Sequence, residues 1–258
     1  MHNIKLNSWA NNVSTKLKLV KKSQDYSLKP FPHFFIDNFF EDKFANELLE
    51  NFPDLESDLW ERTNDPEIEV KMRSKWNSEF DIPEKIVYAI RIMNSAPFLK
   101  ALSESLEIPK LIPDPYFTGG GLNVTVSGGL LDVHVDGNYH DATGLHRRVN
   151  VILYLNPGWK EGWGGEFGLY DNKGEKLIKK IAPLHNRLMA FDTNDLSYHG
   201  LPDPINFPHG HARRSIILYY YTKESRPSSQ VNVEKPHSAL WKKKGWTDKR
   251  GNKTRDFQ

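Results

Sequence analysis

Apolar positions recur at helical spacing in the first half of this chain and at strand spacing in the second. From about Glu41 to Asn51, the side chains of Phe44, Ala45, Leu48, Leu49 and Phe52 share one helical face, and Asn51, Phe52 and Pro53 then stop the helix. A second helix is predicted over Pro83 to Met93, where Ile86, Ile90 and Met93 align. A third starts at Pro97, which suits a first helical turn, and ends near Leu106. Residues 1–29 carry no sustained period and read as a loose arm or a poorly regular helix. The aromatic-dense stretch Phe31 to Phe40 reads as a buried strand or extended lead-in, and residues 53–80 as polar and irregular. Pro109, Pro113 and Pro115 mark a break.

From Leu122 to Tyr221 the texture changes to strands. Asn123-Val-Thr-Val-Ser, Leu131-Asp-Val-His-Val, Arg148-Val-Asn-Val-Ile-Leu-Tyr-Leu, Gly165-Glu-Phe-Gly-Leu-Tyr, Leu177-Ile-Lys-Lys-Ile, Arg187-Leu-Met-Ala-Phe and Ser215-Ile-Ile-Leu-Tyr-Tyr-Tyr are short and rich in β-branched or aromatic residues. Gly, Asn, Asp or Pro separates them, and Asp171-Asn-Lys-Gly reads as a hairpin turn. Seven or eight such strands predict a mainly β protein with N-terminal helices, a sandwich or barrel of the jelly-roll type. The expected organisation is one compact unit. Residues 1–110 form a helical and extended support, 111–224 the β core, and 225–258 a basic extension.

Composition narrows the chemistry. At 38% hydrophobic and 26% charged residues the chain is an ordinary globular one. No apolar run approaches the roughly 20 residues that a bilayer needs, so no membrane partner is expected. The first residues lack a secretory pattern, which makes the cytoplasm the expected location. The absence of cysteine excludes disulfides, thiolate zinc sites, iron–sulfur clusters and cysteine nucleophiles. Any metal must therefore sit on nitrogen and oxygen, and seven of the ten histidines lie between His134 and His211. A net charge of +2 gives no reason to expect a nucleic-acid partner. From Lys223 onward, ten Lys or Arg stand against four Asp or Glu, which reads as a solvated surface extension.

His134-Val-Asp136 is the sharpest local feature. On a strand, residues i and i+2 point the same way, so an imidazole and a carboxylate aim at one point. A second imidazole from a distant strand would complete a two-His, one-carboxylate facial triad. Such a triad leaves open positions on Fe(II), and His199, after a strand and a turn, is the candidate. By itself His-x-Asp is a common pair, and the order of the motifs downstream of it gives it weight. Arg213-Arg214 opens an apolar strand, and an arginine entering a dry barrel needs an anion beside it, for which its fork suits a carboxylate.

Together these stretches resemble the 2-oxoglutarate and Fe(II)-dependent oxygenases of the prolyl 4-hydroxylase-like branch. The resemblance spans about residues 120–222. It rests on His134-Val-Asp-Gly, Arg148-Val-Asn-Val-Ile-Leu-Tyr-Leu-Asn-Pro-Gly-Trp, Trp163-Gly-Gly-Glu-Phe, Asn186-Arg-Leu-Met-Ala-Phe, Tyr198-His-Gly and Arg213-Arg-Ser-Ile-Ile-Leu-Tyr-Tyr-Tyr. The Pro30-Phe-Pro-His-Phe-Phe-Ile-Asp-Asn-Phe-Phe lead-in also looks like the start of these proteins. The resemblance implies a double-stranded β-helix (cupin-like) core with Fe(II) on His134, Asp136 and His199. It also implies 2-oxoglutarate and O2 as cosubstrates, succinate and CO2 as coproducts, and ascorbate as an accessory reductant.

The family's pattern puts the cosubstrate's distal carboxylate on an arginine of the last core strand. Here that is Arg213, or Arg214 if the register slips by one, with Tyr154 beside it. By alternation Asn150 and Ile152 share the face of Tyr154, which makes Asn150 a further candidate contact. The family often has another tyrosine ahead of His-x-Asp; here Asn123 or Thr125 stands in that stretch. An acidic Asp136 goes, in the family, with hydroxylation, whereas its halogenases carry a small residue there.

Other candidates are weaker. His140 and His146 lie in the loop 137–146 and are candidates to meet substrate. His209 and His211 sit in a Gly- and Pro-rich turn, and His185 reads as structural. Trp159 and Trp163 read as packing residues, and Gly119-Gly-Gly as a turn or mobile lid rather than a phosphate loop. The expected reaction is hydroxylation of a prolyl residue or free proline, so the partner is a peptide or small-molecule substrate. The rival readings are hydroxylation of another amino acid or small metabolite, and a cupin-like barrel that binds a metal or ligand without turnover.

Overall fold

The helical patterns bury their apolar stripes against one face of a large sheet. The computed structural model describes residues 2–76 and 78–247. Four helices lie in its N-terminal part: α1 (His2–Val20), α2 (Asp42–Glu50), α3 (Glu84–Met93) and α4 (Ala96–Leu106). Trp9, Val13 and Leu17 of α1 and Phe44 and Leu48 of α2 share one core with Ile86, Ile90, Phe98 and Leu102. The N-terminal stretch left open between arm and helix is thus a regular helix. Its apolar stripe is narrow, and packing on α4 rather than intrinsic propensity stabilises it.

The strands, in chain order, are β1 (Tyr26–Ser27), β2 (His33–Ile36), β3 (Trp60–Asp65), β4 (Glu69–Ser74), β5 (Ile112–Pro113), β6 (Gly121–Thr125), β7 (Leu130–Leu131), β8 (His134–Val135), β9 (His146–Tyr154), β10 (Phe167–Tyr170), β11 (Leu177–Ile181), β12 (Arg187–Asp192), β13 (His199–Gly200), β14 (Arg213–Thr222) and β15 (Leu240–Trp241). They form two antiparallel sheets. The major one runs β1-β2-β12-β9-β14-β6-β4-β3, with β5 on β14 and β7 on β4, and the minor one β11-β10-β13-β8-β15. Leu153, Val151, Ile216 and Leu218 point outward to the helices. Ile152, Tyr154, Phe167, Leu169, Ile181, Met189 and Phe191 fill the interior between the sheets. This is a barrel of the jelly-roll type that the strand spacing anticipates, and the double-stranded β-helix that the resemblance implies.

Two flanking stretches differ from expectation. Residues 53–80, read as irregular, contain the β3–β4 hairpin, whose strands pair from Trp60↔Ser74 to Asp65↔Glu69. Its outer strand is charged and half exposed, the usual composition of a protected sheet edge, so it lacks apolar alternation. The expected solvated extension from residue 225 is, as far as residue 247, folded onto the core. Its β15 pairs with β8 through Leu240↔Val135 and Trp241↔His134. Residues 248–258, the rest of that basic segment, lie outside the described residues.

Candidate active site

Three donor side chains converge at one end of the barrel. His134 and His199 face each other as a cross-strand pair of β8 and β13, their ring centres 4.3 Å apart. Asp136 follows β8, with its carboxylate oxygens 3.8 Å from His134 Nε2 and 3.5 Å from His199 Nε2. One ligand atom from each residue falls within 4.8 Å of the others.

Their hydrogen bonds prepare these groups for a cation. His134 Nδ1 lies 2.8 Å from the Asp132 carbonyl and His199 Nδ1 2.8 Å from that of Ser197. A carbonyl only accepts, so each Nδ1 carries the proton and each Nε2 lone pair faces the centre. Burial, reinforced by His199, pushes His134 down to about 3, and burial lowers His199 as well. Both rings are therefore neutral at pH 7. Burial opposes the charge on Asp136, but Arg147, His199, His134 and the Asn150 amide together outweigh it and hold the carboxyl below its usual range.

Arg147 is the main residue that sequence reasoning missed. Its guanidinium stands 3.3 Å from Asp136 Oδ2 and 3.4 Å from the centre of the Tyr219 ring. Asn150 joins the two groups, donating to Asp136 Oδ2 at 2.6 Å and accepting from Arg147 Nε and Nη2 at 3.0 and 2.9 Å. Simple alternation from Asn150 would turn Arg148, not Arg147, to this face. The β9–β14 register shifts between Tyr220 and Tyr221, so Val149 pairs with Tyr220 while Arg147 pairs with Tyr221. This β-bulge re-aims the side chain, and nothing in the residue pattern announces it. Asn150, expected as a cosubstrate contact, instead engages Asp136 and Arg147.

Farther along the same interior face lies a different group. Arg213 is buried, its Nε donating to the Gly165 carbonyl at 2.7 Å and its Nη2 to the Tyr154 hydroxyl at 3.4 Å. Gly165 allows this approach because its φ is +82° and a Cβ there would stand 3.0 Å from Arg213 Cδ. No ion pair to Arg213 occurs among the described residues, and burial lowers its proton affinity. Ser215, paired with Tyr154 and with Asn123, has a buried hydroxyl without a partner, as does the Asn123 side-chain oxygen. Thr125 pairs with Arg213, so the two residues standing in for the family's tyrosine lie beside Ser215 and Arg213 in the sheet. Arg214 is a correction to the expected contacts. It alternates with Arg213 onto the helix side, where Asp54 is the charge acting on it.

A cavity of about 310 Å³ opens onto the triad. His134, Asp136, His199, Arg147, Asn150 and Tyr219 line its metal end, with Ile152, Ile217 and Phe167 deeper. Lys71, Arg73, Asp65 and Glu69 of the β3–β4 hairpin and Ser238, Ala239 and Trp241 of the C-terminal segment form other walls. Gly119 also lines it and accepts from the Tyr219 hydroxyl at 3.0 Å.

The remaining histidines and tryptophans stand elsewhere. His140 Nε2 lies 3.0 Å from Asp114 Oδ1, and its Nδ1 accepts from the Ala142 and Thr143 amides, which pins its own loop. His146 packs on Tyr139, His185 meets Asn46, and His209 and His211 are exposed. The Trp159 indole donates to the Gly164 carbonyl, and Trp163 packs against Phe207.

The donor chemistry fits iron, and the buried arginine fits a carboxylate. Among the described residues the metal cluster stops at three N/O ligands, short of the four that close a structural zinc site and with room left for exogenous ligands. A two-sheet barrel thus brings together a three-ligand cluster suited to a metal and a dry guanidinium suited to a carboxylate. Residues 120–221 match the sequence model of the 2OG-Fe(II) oxygenase superfamily. The chain is 30% identical over 86 residues to mouse prolyl 3-hydroxylase OGFOD1, covering 32% of this chain and 15% of that protein. For the Xenopus laevis protein of the same name the identity is 28% over 106 residues, covering 38% and 20%. The matched stretches thus span a fifth or less of these relatives' length.

Two solved structures share the fold. One is a Trichoplax adhaerens prolyl hydroxylase in complex with a hypoxia inducible factor peptide fragment (TM-score 0.57, 21% identity, 85% of this chain and 92% of that chain). The other is a Phytophthora capsici prolyl 4-hydroxylase (TM-score 0.56, 22% identity, 89% and 70%).

Proposed function

We propose that this chain is an Fe(II)- and 2-oxoglutarate-dependent dioxygenase that hydroxylates a prolyl residue. The observation that carries the reading is a buried Arg213 with no carboxylate partner among the described residues, facing the same interior as an open three-ligand cluster. A barrel that merely held a metal would gain nothing from a dry, unpaired guanidinium. His134, Asp136 and His199 would hold the iron. Arg213 and the Tyr154 hydroxyl would take the distal carboxylate of 2-oxoglutarate, with the unpartnered Ser215 hydroxyl beside them. Bound there, iron and 2-oxoglutarate supply an oxidative decarboxylation that consumes O2, releases succinate and CO2 and places one oxygen atom on a substrate C–H bond.

The protein's own contribution is placement and dryness. The two Nδ1–H donations fix both ring tautomers, so no proton has to leave an imidazole when metal arrives. Arg147 and Asn150 keep Asp136 ionised and orient it. Ile152, Ile217 and Phe167 exclude water between the two polar ends. The relatives named prolyl 3-hydroxylases favour a prolyl target, and the charged hairpin wall suits a peptide better than free proline.

The test is anaerobic addition of Fe(II) and 2-oxoglutarate, followed by the visible charge-transfer band of the chelate. The band is expected in the wild type and absent in His134→Ala. A folded wild type that binds metal yet gives no band would reject the oxygenase reading. Succinate release stimulated by proline-containing peptides but not by free proline would support the peptide substrate.

A further inference from the structure

The two imidazoles of the triad are held differently. His199 lies against two residues of the barrel core: Phe167, with ring centres 5.1 Å apart and planes at 25°, and Phe191, at 5.0 Å and 62°. Apart from its meeting with His199, His134 has one aromatic neighbour among the described residues, Trp241, at 4.3 Å and 28°. Trp241 comes from the segment after the last major strand.

That segment is fastened on both sides of the contact. Past it, the Lys242 amide donates to the Val133 carbonyl at 2.8 Å and the Lys243 amide to Asp132 Oδ2 at 2.8 Å. Asp132 is the residue whose carbonyl receives the His134 Nδ1 proton. Ahead of it, Arg226 pairs with Asp195 at 2.7 Å, both buried. The other oxygen of Asp195 accepts from the Asn232 and Val233 amides at 2.8 and 3.0 Å. The His237 amide donates to Asn138 Oδ1 at 2.8 Å. The crossing itself leaves no room beside the triad. A Cβ on Gly137, next to Asp136, would stand 2.9 Å from the His237 carbonyl oxygen and 3.2 Å from Ser238 Cα.

We propose that residues 226–241 form a latch that completes the active site, and that Trp241 is its positioning residue. The indole sets the plane of the His134 imidazole and keeps water from that face, while Ser238 and Ala239 form cavity wall. The Nδ1 hydrogen bond fixes the tautomer of His134, and the stack fixes the rotation that aims Nε2. Hydrogen-bonded partners that orient metal ligands change metal affinity by about 10- to 100-fold when removed, and an effect on that scale is expected of the stack. The inference rests on the triad being the metal site.

The experiment uses the full chain and Mn(II), a redox-stable probe for the iron site, with wild type, Trp241→Leu and Trp241→Phe. Trp241→Leu keeps apolar volume and loses the stacking plane, so its Mn(II) dissociation constant should rise at least about tenfold. Trp241→Phe keeps a ring and should stay within about threefold. A dissociation constant in Trp241→Leu within twofold of wild type, or equal losses in the two variants, would overturn the proposal.

A second measurement does not depend on a variant with an altered latch. In metal-free wild type the His134 imidazole protons, assigned by their loss in His134→Ala, should be shifted upfield by the indole ring current. An unshifted His134 resonance overturns the proposal even if Trp241→Leu does not fold. Wild type that binds Mn(II) but forms no chelate with Fe(II) and 2-oxoglutarate would instead fail the oxygenase reading and leave the latch standing.

Discussion

In the proposed function, the major and minor sheets of the barrel divide the work of binding between them. In the major sheet β9 and β14 are nine and ten residues long and pair along almost their whole length. Arg213 and Tyr154 are therefore placed by a ladder. In the minor sheet β8 and β13 are two residues each, yet they carry both histidines, and Asp136 comes directly after β8. A ladder that short cannot hold three ligands in place. Their order comes from the Asp132 and Ser197 carbonyls, from Asn150 and Arg147 of the major sheet, and from the latch. The rigid sheet holds the anion end and the short one borrows support for the cation end. The anion end keeps unspent donors, whereas the cation end is internally neutralised.

Breaking the cation end should have the largest effect. His134→Ala is expected to reduce 2-oxoglutarate-dependent succinate formation to background while the metal-free protein keeps its circular dichroism spectrum. Turnover that persists would move the metal elsewhere. Arg213→Met separates the two ends. Loss of charge-assisted contacts worth roughly 1.5–3 kcal/mol should raise KM for 2-oxoglutarate by about 10- to 150-fold, with Mn(II) affinity unchanged. Because Arg213 is a buried cation without a carboxylate, the metal-free variant should melt no lower than wild type, and replacing such a charge is often stabilising. Arg147→Met should do the opposite, because it leaves Asp136 buried without its cation. A fall in Tm for Arg213→Met as large as for Arg147→Met would erase the distinction between the ends.

The fastening of the latch has its own pH signature. Burial opposes the charge of Asp195, but the His237 hydrogen bond and Arg226 hold the carboxyl below its ordinary value. A depressed carboxyl stabilises the fold above its unfolded value of about 4 and loses that contribution as pH falls through the folded one. Asp195→Asn should therefore cost about 3 kcal/mol at pH 7, in the range for breaking a buried pair. Its stability should also fall less steeply than wild type below about pH 4. Parallel acid limbs would remove Asp195 from the fastening.

Where each constraint resides decides whether the sequence could reveal it. The triad could be read because His-x-Asp on a strand and His199 ahead of an Arg-led strand are side-chain patterns, and patterns survive in one dimension. Which of Arg213 and Arg214 faces the interior follows once β14 is paired, since Ser215, Ile217 and Tyr219 share the face of Arg213. Arg147 was not legible, because a bulge in β9 itself, with Arg148 as the extra residue opposite β14, decides which of Arg147 and Arg148 turns inward. Nor was Trp241, whose role depends on roughly 40 residues of chain returning from His199 to pair beside His134. Its one local trace is Gly137, a position with no room for a side chain. The β3–β4 hairpin hid because a solvated edge strand has no apolar alternation to show.

The smallest expected effect is the most diagnostic of the anion end. The Ser215 hydroxyl is buried without a partner, a state that costs stability in the metal-free protein because a desolvated donor is left unmade. Ser215→Ala removes that cost, so the metal-free Tm should stay level or rise slightly. If the hydroxyl meets the distal carboxylate, the same change removes a hydrogen bond worth about 1 kcal/mol, and KM for 2-oxoglutarate should rise about fivefold. Stability and cosubstrate affinity would then move in opposite directions on loss of a single oxygen atom. A packing defect would lower both, and a hydroxyl with no part in binding would leave KM alone. The opposite movement therefore identifies a pocket built with its polar groups unpaired for a ligand to satisfy.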